Sequence, residues 1–161
     1  MLYIIRHGQT EMNSRHVLQG RSDFQLNDAG LAQAREAAER LRDVRFDRVY
    51  SSPLLRAVQT AEQIAPGAEI LTFFSDFVHN PAPAGMEQLG AVVARVGAFL
   101  EELRESEENI LISTHAIAMK GILEYLTPES NGAYWLKFIG NCAVYTSQNQ
   151  NGQFTVPTEL P

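Results

Sequence analysis

The sequence predicts a three-layer α/β/α sandwich around a mostly parallel central sheet, and three observations predict it. Short continuous apolar runs alternate with segments of helical period. Each run ends in polar residues, and no repeat, linker or low-complexity tract interrupts the alternation. A continuous apolar run suits a strand buried on both faces, and strands that alternate with helices pair in parallel because each helix carries the chain back across the sheet. At 161 residues the chain is the size of one ordinary domain, so residues 1–161 are expected to form a single unit.

The first strand is Leu2-Tyr3-Ile4-Ile5, which stops at Arg6-His7-Gly8. Leu31, Ala34, Ala38 and Leu41 then recur on one helical face. Phe46 to Ser52 forms the second strand, and Ser52 followed by Pro53 is an N-cap and first-turn pair that opens a second helix with Leu54, Val58, Ala61 and Ile64 inward. That helix ends before Pro66-Gly67. The third helical period is the clearest: Leu89, Val92, Val93, Val96, Leu100 and Leu103 lie opposite Arg95, Glu101, Glu102 and Glu105. Ile110 to His115 is the third strand, and residues 116–126 form a fourth helix that stops before Pro128. Cys142 to Thr146 and Phe154 to Val156, separated by the turn-prone Asn151-Gly152, predict a terminal hairpin.

Composition excludes several classes. Thirteen Lys and Arg against 19 Asp and Glu leave a net charge of −6, which rules against a nucleic-acid partner except through a local basic pocket. The N-terminal apolar stretch stops at residue 5, and no run approaches the ~20 residues of a membrane span, so neither targeting nor a membrane is expected. The single Cys142 cannot form an internal disulfide, and a cytoplasmic location is the expectation. It reads as a small core residue, with no adjacent His or Asn to make it a nucleophile.

Ligands on such sheets bind beyond the carboxyl ends of the strands, and two of the four histidines, His7 and His115, fall there. A neutral imidazole at position 7 can attack phosphorus, Arg6 beside it can hold phosphoryl oxygens in a fork, and Gly8 lets the backbone come close. The competing reading is a strand-terminal His with a structural hydrogen bond. Arg56 lies in the first turn of the second helix, where a cation opposes the helix dipole, a placement better suited to an anion than to stability; the alternative is a solvated Arg. His115 can donate to a phosphoryl oxygen, with the Thr114 hydroxyl and the Ala116 N–H beside it. A metal is the rival reading for two convergent histidines, but two arginines would repel a dication, and no metal is expected. His16 and His79 fall in polar loops and read as solvated.

Arg6-His7-Gly8-Gln9-Thr10-Glu11-Met12-Asn13, then residues 19–26 leading to Gly30, resemble the histidine phosphatase superfamily, the phosphoglycerate mutase-like group. Residues 50–61, with Ser52, Arg56 and Thr60, residues 110–116, and Asn141 to Val144 resemble its later motifs in the same order. The resemblance implies a phosphoglycerate mutase-like fold, phosphorylation of His7, and a phosphoryl pocket of Arg6, Arg56 and His115. It further implies that Asn13 touches the phosphate, that Gln19, Gly20 and the backbone of Ala116 bind substrate, and that no cofactor is needed. The chain departs from the family in the proton donor. Members usually carry a Glu in a Leu-x-Glu-x-x-x-Gly pattern after the second helix, before a long insertion, whereas here residues 66–85 are short. Asp76, between Phe74 and Phe77, is the nearest counterpart and the candidate acid, with Glu87 and His79 as fallbacks.

The activity implied is metal-independent phosphomonoester hydrolysis through a phosphohistidine, on a small phosphorylated metabolite or a phosphoprotein. Three other readings stand beside it. A mutase would need an enclosed site, against which the short insertion argues. A protein-phosphohistidine phosphatase would suit an open site with a weak acid. A non-catalytic phospho-ligand-binding module would follow if the acid were missing.

Overall fold

The computed structural model describes residues 1–73 and 87–161. Its central sheet has six strands in the order β3-β2-β4-β1-β5-β8. These are β1 (Leu2–Arg6), β2 (Arg48–Ser51), β3 (Ile70–Thr72), β4 (Ile110–Thr114), β5 (Val144–Ser147) and β8 (Thr158–Glu159). Strands β3, β2, β4 and β1 run parallel, and β5 and β8 are antiparallel additions at one edge. The predicted three-layer sandwich is therefore the fold observed.

Alternation along the strands sorts the core onto two faces. Leu2 and Ile4 of β1 and Ile110 and Ile112 of β4 meet α4 (Leu89–Glu102) and α5 (Ala116–Leu126) through Val92, Val96, Leu100, Met119 and Ile122. Ile5 and Leu111 point the other way, toward α2 (Asp28–Arg40) and α3 (Leu55–Ile64), where Ala34, Ala37, Ala61 and Ile64 are buried. Strand β4 lies between β1 and β2 and is buried throughout, which explains the unbroken apolar run Ile110-Leu111-Ile112.

Three features differ from expectation. α3 starts at Leu55 with Leu54 as its N-cap, and Ser52, two residues earlier, does not cap it; the Ser52 hydroxyl accepts from the Leu54 N–H at 3.4 Å and lies 2.7 Å from His115 Nε2. Its inward face is Ala57, Thr60, Ala61 and Ile64, with Val58 only half-buried. Asn151-Gly152 does form a turn, with φ of 54° and 76°, as a two-residue hairpin of mirror-image type requires. The strands it joins, however, are the separate pair β6 (Asn149–Gln150) and β7 (Gln153–Phe154). The partners of β5 are β1 and, on its outer side, β8, which is too short and too exposed to be read from the sequence. Short helices α1 (Glu11–Ser14) and α6 (Ala133–Leu136) and a single 3-10 turn at Pro128–Ser130 complete the elements of the described residues. No helix among the described residues is long and apolar enough to cross a membrane.

Candidate active site

Sheet order brings the candidate residues together. Arg6 pairs with Thr114 and Ser51 with Ser113, so the ends of β1, β4 and β2 lie side by side. The His7 N–H donates to Thr114 O at 2.9 Å and the Ser52 N–H to Ser113 O at 3.0 Å, which extends the register one residue past each strand. His7, His115 and Ser52 consequently form a row, with the two imidazole centroids 5.2 Å apart. They open on a cavity of about 230 Å³ also lined by Arg6, Asn13, Gln19, Gly20, Arg56 and Ala116. Eight of the nine sequence-predicted site residues thus share one cavity. The ninth, Asp76, and the fallback His79 lie outside the described residues. His16, read as solvated, is exposed.

The protonation state of His7 follows from its surroundings. Burial pushes its pKa down to about 3; the Gly8 hydrogen bond offsets this in part, and the cations Arg56 and Arg6 reinforce it. The neutral ring has one proton, and the carbonyl of Gly8, 2.7 Å from Nδ1, can only accept. The proton is therefore on Nδ1, and Nε2 keeps its lone pair. Burial lowers His115 as well, with His7, Arg56, Arg6 and Arg95 adding to the effect, so it too is neutral.

The loop that holds His7 is tied on several sides. Asn141 Nδ2 donates to His7 O at 3.0 Å, and the Gly8 N–H donates to Thr60 Oγ1 at 3.0 Å. Gly8 packs directly on Gly30, where a Cβ would come within 2.5 Å of the Gly30 carbonyl oxygen. Asn13 closes a capping box with Thr10 at the start of α1, which leaves its amide NH₂ as its remaining donor.

The cations are placed but not spent. Arg6 gives one Nη1 hydrogen bond to Ile139 O. Arg56 gives two, to Ser22 O at 2.8 Å and Gly20 O at 3.1 Å, and so holds the 20–22 loop over the site. Arg6 Nε, Arg56 Nε, Thr114 Oγ1 and His115 Nδ1 are four of the five buried side-chain polar atoms that lack a partner among the described residues. Buried polar groups are normally paired, so this concentration marks where a hydrogen-bonding ligand belongs. The N-terminus of α5 adds the unpaired first-turn N–H groups of Ala116, Ile117 and Ala118 on the same cavity. Neutral imidazole, two guanidiniums and a helix N-terminus form a site for a tetrahedral oxyanion beside a nitrogen nucleophile.

Sequence reasoning missed Arg95, which the α4 period places on the solvent face. It lines the cavity and binds Glu87 in a fork, Nε to Oε1 at 2.9 Å and Nη2 to Oε2 at 2.7 Å. No local signal could have found it, because the rotation of α4 is set by packing across the sheet. Thr60 and Asn141, read only as parts of resembling motifs, prove to anchor the loop after β1. Cys142 is inert, as expected: burial pushes its thiol up to about 12.

A site of this kind on this sheet defines a phosphoryl-transfer protein of the α/β class. The chain belongs to the histidine phosphatase superfamily, branch 1, whose sequence pattern matches residues 2–76 and 67–158. The overlap of the two matches, residues 67–76, falls where the Leu-x-Glu-x-x-x-Gly pattern is missing. Among relatives, the chain is 28% identical to phosphoglycerate mutase-like protein 4 of Arabidopsis thaliana, over 80% of this chain and 72% of that protein. Among solved structures it is similar to phosphoserine phosphatase of Entamoeba histolytica. A variant solved with phosphoserine has a TM-score of 0.80 at 24% identity, covering 99% of this chain and 94% of the other. The complex with 3-phosphoglyceric acid has a TM-score of 0.78 at the same identity and coverage. These structures share its fold.

Proposed function

We propose that the chain hydrolyses phosphate monoesters of small metabolites, with Nε2 of His7 as the nucleophile. The observation that carries this is a neutral His7, its Nδ1 proton tied to Gly8 O, facing the unspent donors of Arg6 and Arg56. In the first step the Nε2 lone pair forms an N–P bond as the P–O bond to the alcohol breaks, and the leaving alkoxide takes a proton from a general acid. The guanidiniums of Arg6 and Arg56 offset charge on the equatorial oxygens, and His115 and the α5 N–H groups donate hydrogen bonds to them. In the second step a water oxygen bonds to phosphorus, the N–P electron pair returns to Nε2, and the water proton goes to the same group acting as base.

Asp76 is proposed for that group. Glu87 lines the cavity, but both of its oxygens accept from Arg95, so neither is disposed to hand a proton to a leaving group. Asn13, Gln19, Gly20 and Ala116 are proposed as substrate contacts from their place on the cavity wall. The phosphoglycerate mutase-like relative, and the phosphoserine phosphatase structures solved with phosphoserine and 3-phosphoglyceric acid, support a small phosphorylated metabolite as substrate. The residues proposed to work include no carboxylate cage for a dication, and activity is expected to persist in EDTA.

The test is His7→Ala, with turnover of p-nitrophenyl phosphate and acid-labile phosphate on the protein as readouts. Both should vanish, since no neighbouring side chain can replace the nucleophile. Arg56→Ala should lose on the order of 10² or more in kcat/KM. Acid-labile phosphate at the wild-type rate in His7→Ala overturns the mechanism.

A further inference from the structure

Beyond the two arginines at the nucleophile, one further Lys or Arg lines the cavity among the described residues. Arg6 and Arg56 flank His7 and face the phosphoryl position. The third cation on the wall, Arg95, is held in a two-point fork by Glu87. No other Lys or Arg lines the cavity among the described residues, and residues 74–86 contain neither. Among the described residues, the charged groups of this wall away from the phosphoryl position are Arg95 and Glu87, bound to one another.

The rest of the mouth is apolar. Val17, Leu18 and Ile117 line it while remaining 49%, 92% and 51% exposed, and Pro53, Ala116 and Ala118 stand beside them. Large apolar side chains held open to solvent around a cavity gain free energy when something apolar covers them. A second anionic group placed there would be stripped of water against these side chains and would find Arg95, the cation this wall offers among the described residues, already bound to Glu87. The cavity, at about 230 Å³, is also small for a metabolite site.

We infer that the leaving group this site selects is a small, uncharged and largely apolar alcohol, so that its substrates carry the phosphate as their only anion. This rests on the proposed phosphatase reading and narrows it. It also separates the chain from its structural neighbours, whose phosphoserine and 3-phosphoglyceric acid each carry a carboxylate.

The experiment compares kcat/KM for 2-phenylethyl phosphate, 3-phosphoglycerate and phosphoserine. All three expel an alkoxide, so differences report recognition rather than leaving-group strength. Phenylethyl phosphate should be preferred by about tenfold or more, the order expected for covering one ring. Leu18→Gln combined with Ile117→Gln should narrow that preference. Glu87→Gln removes the carboxylate that forks Arg95 and should raise kcat/KM for 3-phosphoglycerate relative to phenylethyl phosphate. Turnover that favours 3-phosphoglycerate overturns the inference and leaves the phosphatase reading standing. So does turnover that favours phosphoserine, whose zwitterion would then be opening the Glu87–Arg95 pair, and so does a Glu87→Gln protein with unchanged ratios. Absence of turnover and of acid-labile phosphate with every ester overturns the phosphatase reading itself, and this inference with it.

Discussion

His7 is made useful by what surrounds it. A solvated imidazole is partly protonated near pH 6.5 and has two exchanging tautomers, whereas burial and the Gly8 carbonyl leave this one neutral with its lone pair on Nε2. His115 is neutral for the same reason, and the Ser52 hydroxyl at 2.7 Å holds its ring in place. The chemistry that remains is protonation of the leaving group, and the candidate acid can be tested directly. An alkoxide leaves poorly without a proton, and general-acid help is worth ~10² to 10⁴ in rate, while p-nitrophenolate needs little help. Asp76→Asn should therefore slow single-turnover phosphorylation of His7 by alkyl phosphates far more than by p-nitrophenyl phosphate. Equal losses would assign Asp76 a structural role, and no loss would move the same test to Glu87 and His79.

Elements meet at this site through close backbone contacts. The first turn of α2 lies on the loop after β1, and a Cβ on Gly30 would come within 2.0 Å of Gln9 O and 2.8 Å of Gln9 N. Backbone atoms cannot swing aside as a flexible side chain can, so Gly30→Ala must push the His7 loop or the helix out of place. It should cost about 1–3 kcal/mol, the usual range for overpacking, and depress kcat/KM as the loop moves. Gly90, in the first turn of α4, has nothing among the described residues within 4 Å of its would-be Cβ. Gly90→Ala should be neutral or stabilising, by up to about 1 kcal/mol, through the lower entropy of the unfolded chain. Thermal unfolding of the two variants, with activity measured alongside, checks both. A Gly30→Ala protein as stable and active as Gly90→Ala would show that the close contact does not constrain the site.

At the scale of the whole molecule, two neutral histidines in a cationic pocket carry a cost at low pH. Their folded pKa values lie below the value of about 6.5 that they have when unfolded. Between pH 6.5 and about 3 the unfolded chain therefore binds more protons than the folded one. By linkage, stability is full above that window and falls as pH drops through it. The effect is on the order of a few kcal/mol for His7 alone. The fall in Tm between pH 7.5 and pH 4.5 should be smaller in His7→Gln than in the parent protein. Inorganic phosphate should also restore part of it in the parent, because a bound anion compensates a charged imidazole. Identical pH profiles for the two proteins would count against a buried neutral His7.

The sequence by itself determined the strands at the centre of the sheet, the helices that cover it and the residues that meet at the strand ends. These signals are local: β4 opens on the apolar run Ile110-Leu111-Ile112 because it is buried on both faces, and a strand that stops at Arg6-His7-Gly8 puts those residues at the carboxyl edge whatever its neighbours are. The edge strands β3 and β8 were not legible, since three exposed or half-buried residues and two exposed ones carry no period. Ser52 satisfied every local rule for an N-cap, yet its hydroxyl serves His115, 63 residues away. Arg95 belongs to a helix whose apolar stripe assigns it to solvent. Only the packing of Val92, Val96 and Leu100 against the sheet fixes the rotation that turns its guanidinium toward Glu87 and the cavity. Tertiary structure decided those points because each depends on which groups compete for the same atom once distant segments are brought together. A local pattern cannot report a competitor that is not in its window.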